Sequence, residues 1–247
     1  MPGVTNGERE IMPRKTVIIF FIIDTSGSMA GTRIGAVSSA LEETLEKLRE
    51  MNANNTLVEI KVALLEFSNS ANWLTPIGPV YPENYIWTDL NAEGMTAMDE
   101  AFRLLEEKLH ISSGFMKEAS GSYAPVLFLM TDAEPSTDYT AQLANLKKNK
   151  WFIVSTKIAL SIGDENNDHI LEDFTGSKEA VVRVPSGNNA GAKLAKMINF
   201  LAVNTLDIVT QQGNDNPKTK QEQVEDAIQE AVSDDDFFDV GGNGFDF

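Results

Sequence analysis

Two rhythms of apolar and polar positions run along this chain. Runs rich in apolar residues occur at 16–23, 58–67, 126–130, 151–160 and 180–184, and those at 17–23 and 126–130 are unbroken. Runs this short predict strands buried on both faces, the habit of a parallel sheet covered by helices. Between them the period changes to three and four. Ile34, Val37, Leu41, Leu45, Leu48 and Met51 mark an amphipathic helix over 33–51, and Met98, Ala101, Leu104, Leu105 and Leu109 mark another over 97–110. Helices are also predicted at 139–149 with Asp138 as cap, at 166–174, and at 190–210. Ser68-Asn69-Ser70 leaves so short a link to a strand at 71–74 that this strand must run antiparallel to its predecessor. The expected fold is α/β: a doubly wound, mostly parallel six-stranded sheet with one short antiparallel edge strand and helices on both faces.

The segments outside this pattern divide the chain. Residues 1–15 read as a flexible lead-in, 16–212 as the folded domain, and 213–247 as an acidic tail with ten acids against two lysines. Val224, Ala227, Ile228, Ala231 and Val232 repeat at helical spacing, so a helix over 219–233 is predicted inside that tail. The last stretch carries Phe237, Phe238, Phe245 and Phe247. A solvated, disordered end is one reading of it. Docking of the phenylalanines into a partner is another, and a tail carboxylate folding back on the chain's own site is a third.

Candidate chemistry sits at two strand ends. The first apolar run leads into Asp24-Thr25-Ser26-Gly27-Ser28, which sends Asp24, Ser26 and Ser28 to one side of an extended chain. A carboxylate with two hydroxyls is a hard oxygen set suited to Mg²⁺ or Mn²⁺. The run at 126–130 leads likewise into Thr131-Asp132. In doubly wound sheets ligands sit off the carboxyl ends of strands where strand order reverses, so Asp24 and Asp132 are expected to meet there. Thr96, at a loop-to-helix junction, would add a third hydroxyl. Two carboxylates balance a divalent ion and leave it able to take an Asp or Glu oxygen from another protein, which describes a binding device.

Composition narrows the class. The 247 residues include no cysteine, which excludes disulfides, thiolate metal sites and a cysteine nucleophile. A net charge of −17 argues against nucleic acid and anionic membrane as partners. Residues 1–16 lack a signal-peptide layout and the run at 17–23 is too short to span a bilayer, so a cytoplasmic location is expected. Asp164-x-Asn166-x-Asp168 opens like a calcium loop but lacks its glycine and final glutamate. His110 and His169 have no partner acids or nucleophiles in a catalytic pattern, and Asp99 and Glu134 read as a solvated helix face or turn, with support of the metal ligands as the alternative.

Asp24-x-Ser26-x-Ser28, Thr96 and Thr131-Asp132 resemble the metal-ion-dependent adhesion site of von Willebrand factor A (VWA) domains, over about residues 16–212. The wording Val126 to Asp132 is similar to bacterial tellurite-resistance-type VWA proteins. The resemblance implies a metal set of Asp24, Ser26, Ser28, Thr96 and Asp132. In it the hydroxyls contact Mg²⁺ directly, the aspartates directly or through water, and Mn²⁺ or Ca²⁺ are alternatives. It further implies an adaptor in a stress-response or signalling complex, with a Ser/Thr kinase or phosphatase as candidate partner. The chain departs from the family at Ala133, where glycine is usual, and it has no cysteines for the zinc ribbon some relatives carry. Two rival readings are a metal-dependent phosphohydrolase with Asp24 as nucleophile, and a structural subunit with a vestigial site. The first wants an acid at position 26, which is serine.

Overall fold

The structure is a computed structural model and describes residues 14–110, 112–116, 122–132, 135–163, 168–184, 190–211 and 216–233. At its centre, β1 (Lys15–Asp24) pairs in parallel with β2 (Val58–Phe67) from Lys15↔Val58 to Asp24↔Phe67. A short antiparallel β3 (Ala71–Trp73) follows on the outer edge of β2. On its other side β1 pairs in parallel with β4 (Val126–Thr131), Ile19↔Val126 to Ile23↔Met130. Beyond it lie β5 (Thr156–Ile162) and β6 (Val181–Val184), both parallel, giving the order β3-β2-β1-β4-β5-β6. The chain moves outward from β1 in one direction and returns to start again in the other, so the reversal falls between β1 and β4.

The unbroken apolar run of β1 is explained by the two faces it serves. Val17, Ile19, Phe21 and Ile23 enter one core, with side chains of α1 (Thr32–Asn54) and a later helix, Ala190–Thr210. Ile18, Phe20 and Ile22 enter the other, with α2 (Met98–Lys108) and the short helices α3 (Thr140–Leu146), α4 (Lys150–Val154) and α5 (Asp168–Thr175). Strand alternation therefore demands apolar side chains at every position.

The sequence pattern misplaces one boundary. A helix over 139–149 and a strand over 151–160 were expected, but Trp151–Val154 are helical and β5 begins at Thr156. Asn149 causes the break: its Oδ1 accepts from the N–H groups of Trp151 (2.9 Å) and Phe152 (3.3 Å), starting a new helical turn. Ile153 and Val154, which lengthened the apparent strand, are exposed. Asp138 does engage the start of α3, accepting from Thr140 N–H at 3.0 Å.

On the first core face the Ala190–Thr210 helix (α6) packs along α1, and α7 (Lys220–Ser233) packs in turn on α6. Although its composition is acidic, α7 buries Val224, Ile228 and Ala231. Gln221 fastens its start to β5: Oε1 accepts from Lys157 N–H (2.8 Å) and Nε2 donates to Lys157 C=O (3.1 Å). Phe237, Phe238, Phe245 and Phe247 lie outside the described residues, as do Ala133, Glu134, Asp164 and Asn166.

Candidate metal centre

Asp24 is the last residue of β1 and is fully buried. Its Oδ1 accepts from Ser26 N–H at 2.8 Å, and its Oδ2 accepts from the hydroxyl of Thr131, the last residue of β4, at 2.5 Å. Parallel pairing of β1 and β4 thus brings two residues 107 positions apart into contact. Asp132 follows directly and is 2% exposed. Its Oδ2 accepts from Arg33 Nη1 at 3.0 Å, while its Oδ1 is buried with no hydrogen-bond partner among the described residues. Buried carboxylate oxygens are seldom left unmet, because the desolvation cost then goes unrecovered.

The hydroxyls gather at the same rim. Ser26 Oγ and Ser28 Oγ are 3.0 Å apart, Ser26 buried and Ser28 open to solvent. Gly27 between them donates its N–H to Gly94 C=O at 2.9 Å, and a Cβ at Gly27 would lie 3.0 Å from that oxygen. Gly94 has φ +83° and no room for a side chain, since an added Cβ would come within 2.5 Å of Asn69. Asn69 in turn accepts from Met95 N–H at 2.9 Å, and Ser68 C=O accepts from Ala97 N–H at 2.7 Å. Thr96, 3% exposed, is held between these contacts and Ser136. Its N–H donates to Ser136 Oγ and its C=O accepts from Ser136 N–H, both at 3.0 Å.

All five metal-set residues therefore lie at the carboxyl ends of β1 and β4 or on loops tied to them. Sequence reasoning missed Arg33, Asn69 and Ser136, which act only through partners distant in the chain. Of the two readings of Asp99, the solvated helix face does not hold: this side chain is half-buried and accepts the Thr137 hydroxyl at 2.5 Å, linking α2 to the loop after β4. His110 is exposed, its Nδ1 paired with the Ser112 hydroxyl at 2.9 Å. Asp168 is ion-paired with Arg183 and accepts from Ser161 Oγ at 2.9 Å.

Electrostatics favour a cation here. Burial pushes the Asp24 carboxyl up from 3.8 to about 6; the Asp132 charge pushes the same way, against hydrogen bonds from Ser26 and Thr131 that favour the anion. Among the described residues no group of three acidic, histidine or cysteine side chains could hold an ion. A thiolate- or imidazole-rich site is thus absent from them, and the donor set is two carboxylates with neutral hydroxyls. That set, with a buried carboxylate oxygen lacking a partner, fits a hard divalent ion such as Mg²⁺. The ion would supply positive charge for a further oxygen ligand, and Asp24, Ser26, Ser28, Thr96 and Asp132 are the residues that would hold it.

Comparison with known proteins places the fold in one family. The family model of the von Willebrand factor type A domain matches residues 19–197, and the chain belongs to that family. Such domains generally mediate protein–protein interaction, often through a metal. No curated protein matches the chain. Among solved structures, the pilus adhesin SpaC from Lactobacillus rhamnosus GG, in its open conformation, superposes with TM-score 0.57 at 17% identity, covering 76% of this chain and 30% of the adhesin. The vWF domain of the type V pili tip protein Mfa5 from Porphyromonas gingivalis gives TM-score 0.58 at 11% identity, with 84% of this chain and 100% of that domain covered. Proximal thread matrix protein 1 from the mussel byssus, with a zinc-occupied MIDAS motif, gives TM-score 0.51 at 13% identity over 75% of this chain and 46% of its own. This chain spans about 30% of the SpaC adhesin's length, and likenesses at these identities concern the fold.

Proposed function

We propose that this chain is a noncatalytic, divalent-cation-dependent protein-binding module that captures an Asp or Glu carboxylate of a partner protein. The observation that carries the reading is Asp132 Oδ1, buried and without a hydrogen-bond partner among the described residues, at the reversal point of the sheet beside Asp24 and the two serine hydroxyls. Mg²⁺ is the proposed ion, since neutral hydroxyls and carboxylates suit it; Mn²⁺ and Ca²⁺ draw on the same donors. The zinc-occupied MIDAS of the mussel protein supports a divalent ion at this place in the fold. An enzymatic role is disfavoured by Ser26, which stands where a phosphohydrolase built on Asp24 would need its general acid and base.

The proposed setting is an adaptor in a bacterial stress-response or signalling complex, resembling tellurite-resistance-type VWA proteins, with a Ser/Thr kinase or phosphatase as partner. A cytoplasmic location is supported by the absence of cysteine. No helix among the described residues is long and apolar enough to cross a membrane. Affinity capture with wild-type and Asp24→Ala bait, each with Mg²⁺ or with chelator, tests the reading. Partner recovery only with wild-type bait plus Mg²⁺ is expected. Equal recovery in all four arms would exclude the ion as the contact, and turnover of a phosphate ester abolished by Asp24→Asn would restore the enzymatic alternative.

A further inference from the structure

We propose that the acidic, phenylalanine-bearing segment 234–247 docks on its own chain, in a basic and aromatic cleft at the end of α2 remote from the ion site. The cleft lies between the last residues of α2 and the turn from α3 into α4, and its volume of about 540 Å³ falls within the range of small-ligand sites. Leu109 and Trp151 give it apolar wall, Lys148 and Lys150 positive charge, and Glu106 and His110 complete its rim. Trp151 Nε1 is buried and has no hydrogen-bond partner among the described residues. A buried indole N–H usually finds an acceptor. The short helix that carries Trp151 also leaves Ile153 61% exposed and Val154 56% exposed.

Charge and reach select the occupant. Lys147-Lys148-Asn149-Lys150 is the densest basic run in a chain of net charge −17. Asp173 engages Lys147 at 3.4 Å, and among the described residues Lys148 and Lys150 make no ion pair. The densest acidic run is Asp234-Asp235-Asp236-Phe237-Phe238-Asp239; Phe245-Asp246-Phe247 follows it, and 234–247 contain no basic residue. Rings for the apolar wall, carboxylates for the lysines and an oxygen for the indole N–H thus come from one segment. The segment also starts close enough. Gln221, at the start of α7, clamps the backbone of Lys157, whose Nζ donates to Phe152 C=O in α4. From there α7 runs 14 residues, about 21 Å. Residues 234–247 add up to about 46 Å when extended, so they reach α4 whichever way α7 points. Because α2 begins two residues after Thr96 and runs away to Lys108, such docking leaves the ion site open, and the inference stands apart from the metal reading.

Carbodiimide coupling, which joins a lysine amine to a carboxylate in contact with it, tests this on the full chain. Unlabelled and ¹⁵N-labelled protein are mixed in equal parts and the links are mapped by mass spectrometry. Lys148 and Lys150 are expected to take most of the links to Asp234, Asp235, Asp236, Asp239 and Asp246, all within single chains. A second protein carries Phe237→Ser, Phe238→Ser, Phe245→Ser and Phe247→Ser together, which keeps every charge and alters no residue of the helices and strands. In it these links are expected to fall at least about tenfold, the loss expected from one buried ring. Links shared equally with exposed lysines elsewhere, such as Lys178 and Lys218, would overturn the docking. Links that persist at wild-type yield in the serine variant would overturn it as well, since charge alone would then hold the segment. Links that join labelled to unlabelled chains would replace it with docking between two copies.

Discussion

At the carboxyl ends of β1 and β4 the fold buries two aspartates and leaves one oxygen of Asp132 unmet among the described residues, whereas at the start of β5 it buries Lys157 and meets its needs within the chain. Lys157 Nζ donates to Phe152 C=O at 3.1 Å and to Ser155 C=O at 2.9 Å, lies 5.1 Å from the Phe152 ring centre, and has its backbone clamped by Gln221. Burial moves both kinds of group toward their neutral forms, Asp24 up to about 6 and Lys157 down to about 8, the latter opposed by the Glu225 charge. The difference lies in what remains unsatisfied. A buried charge with full internal partners organises structure, and one with an open oxygen awaits something from outside.

The sharpest way to break this comparison is to remove the open oxygen. Asp132→Ala is expected to weaken Mn²⁺ binding by at least about a hundredfold in calorimetry, beyond the range typical of supporting groups. Asp24→Asn should do two things at once. It should abolish ion binding, and it should stabilise the chelator-treated protein by about 2–3 kcal/mol at neutral pH, because an amide of the same shape avoids burying a charge. Denaturant unfolding in chelator checks the second effect.

The pH dependence separates the two regions by sign. The native Asp24 carboxyl holds its proton more tightly than in the unfolded chain. Its contribution to ion-free stability is therefore full below 3.8 and lost as pH rises through about 6. Lys157 holds its proton less tightly when folded, so its contribution grows as pH rises from about 8 to 10.5. Unfolding curves in chelator across this range should show both limbs in wild type, and only the upper limb in Asp24→Asn.

Smaller effects are expected from the supporting contacts. Ser136→Ala removes the acceptor for Thr96 N–H and should cost about 1–2 kcal/mol in chemical denaturation, with up to about tenfold weaker ion binding. Lys157→Met should leave ion binding unchanged while costing no more than about 1–3 kcal/mol, through the two carbonyls that lose their donor. Ion binding that fell with Lys157→Met would erase the distinction between the two ends of the sheet.

Much of the fold was legible because its signals are local. Runs rich in apolar residues identified the strands, and three-and-four spacing located α1, α6 and α7 to within a few residues. The antiparallel β3 followed from the length of its link. The error around Asn149 arose because Ile153 and Val154 carry strand propensity, while the side chain that decides the matter precedes the apolar run and caps a helix. The membership of α7 in the core was hidden for another reason. Acidic composition says that one face of a helix is solvated, and is silent on where Val224 and Ile228 are buried.

The sequence by itself determined, except around Asn149, which segments form strands and helices, and that Asp24, Ser26 and Ser28 stand together at a strand end, since these follow from periodicity and from spacing along a few covalent bonds. Only the tertiary structure decided that Thr131 reaches Asp24, that Arg33 takes one oxygen of Asp132 from 99 positions away, and that the other oxygen has no partner among the described residues. Those pairings depend on strand order and loop course. The burial that gives them their strength comes from side chains contributed by elements throughout the chain.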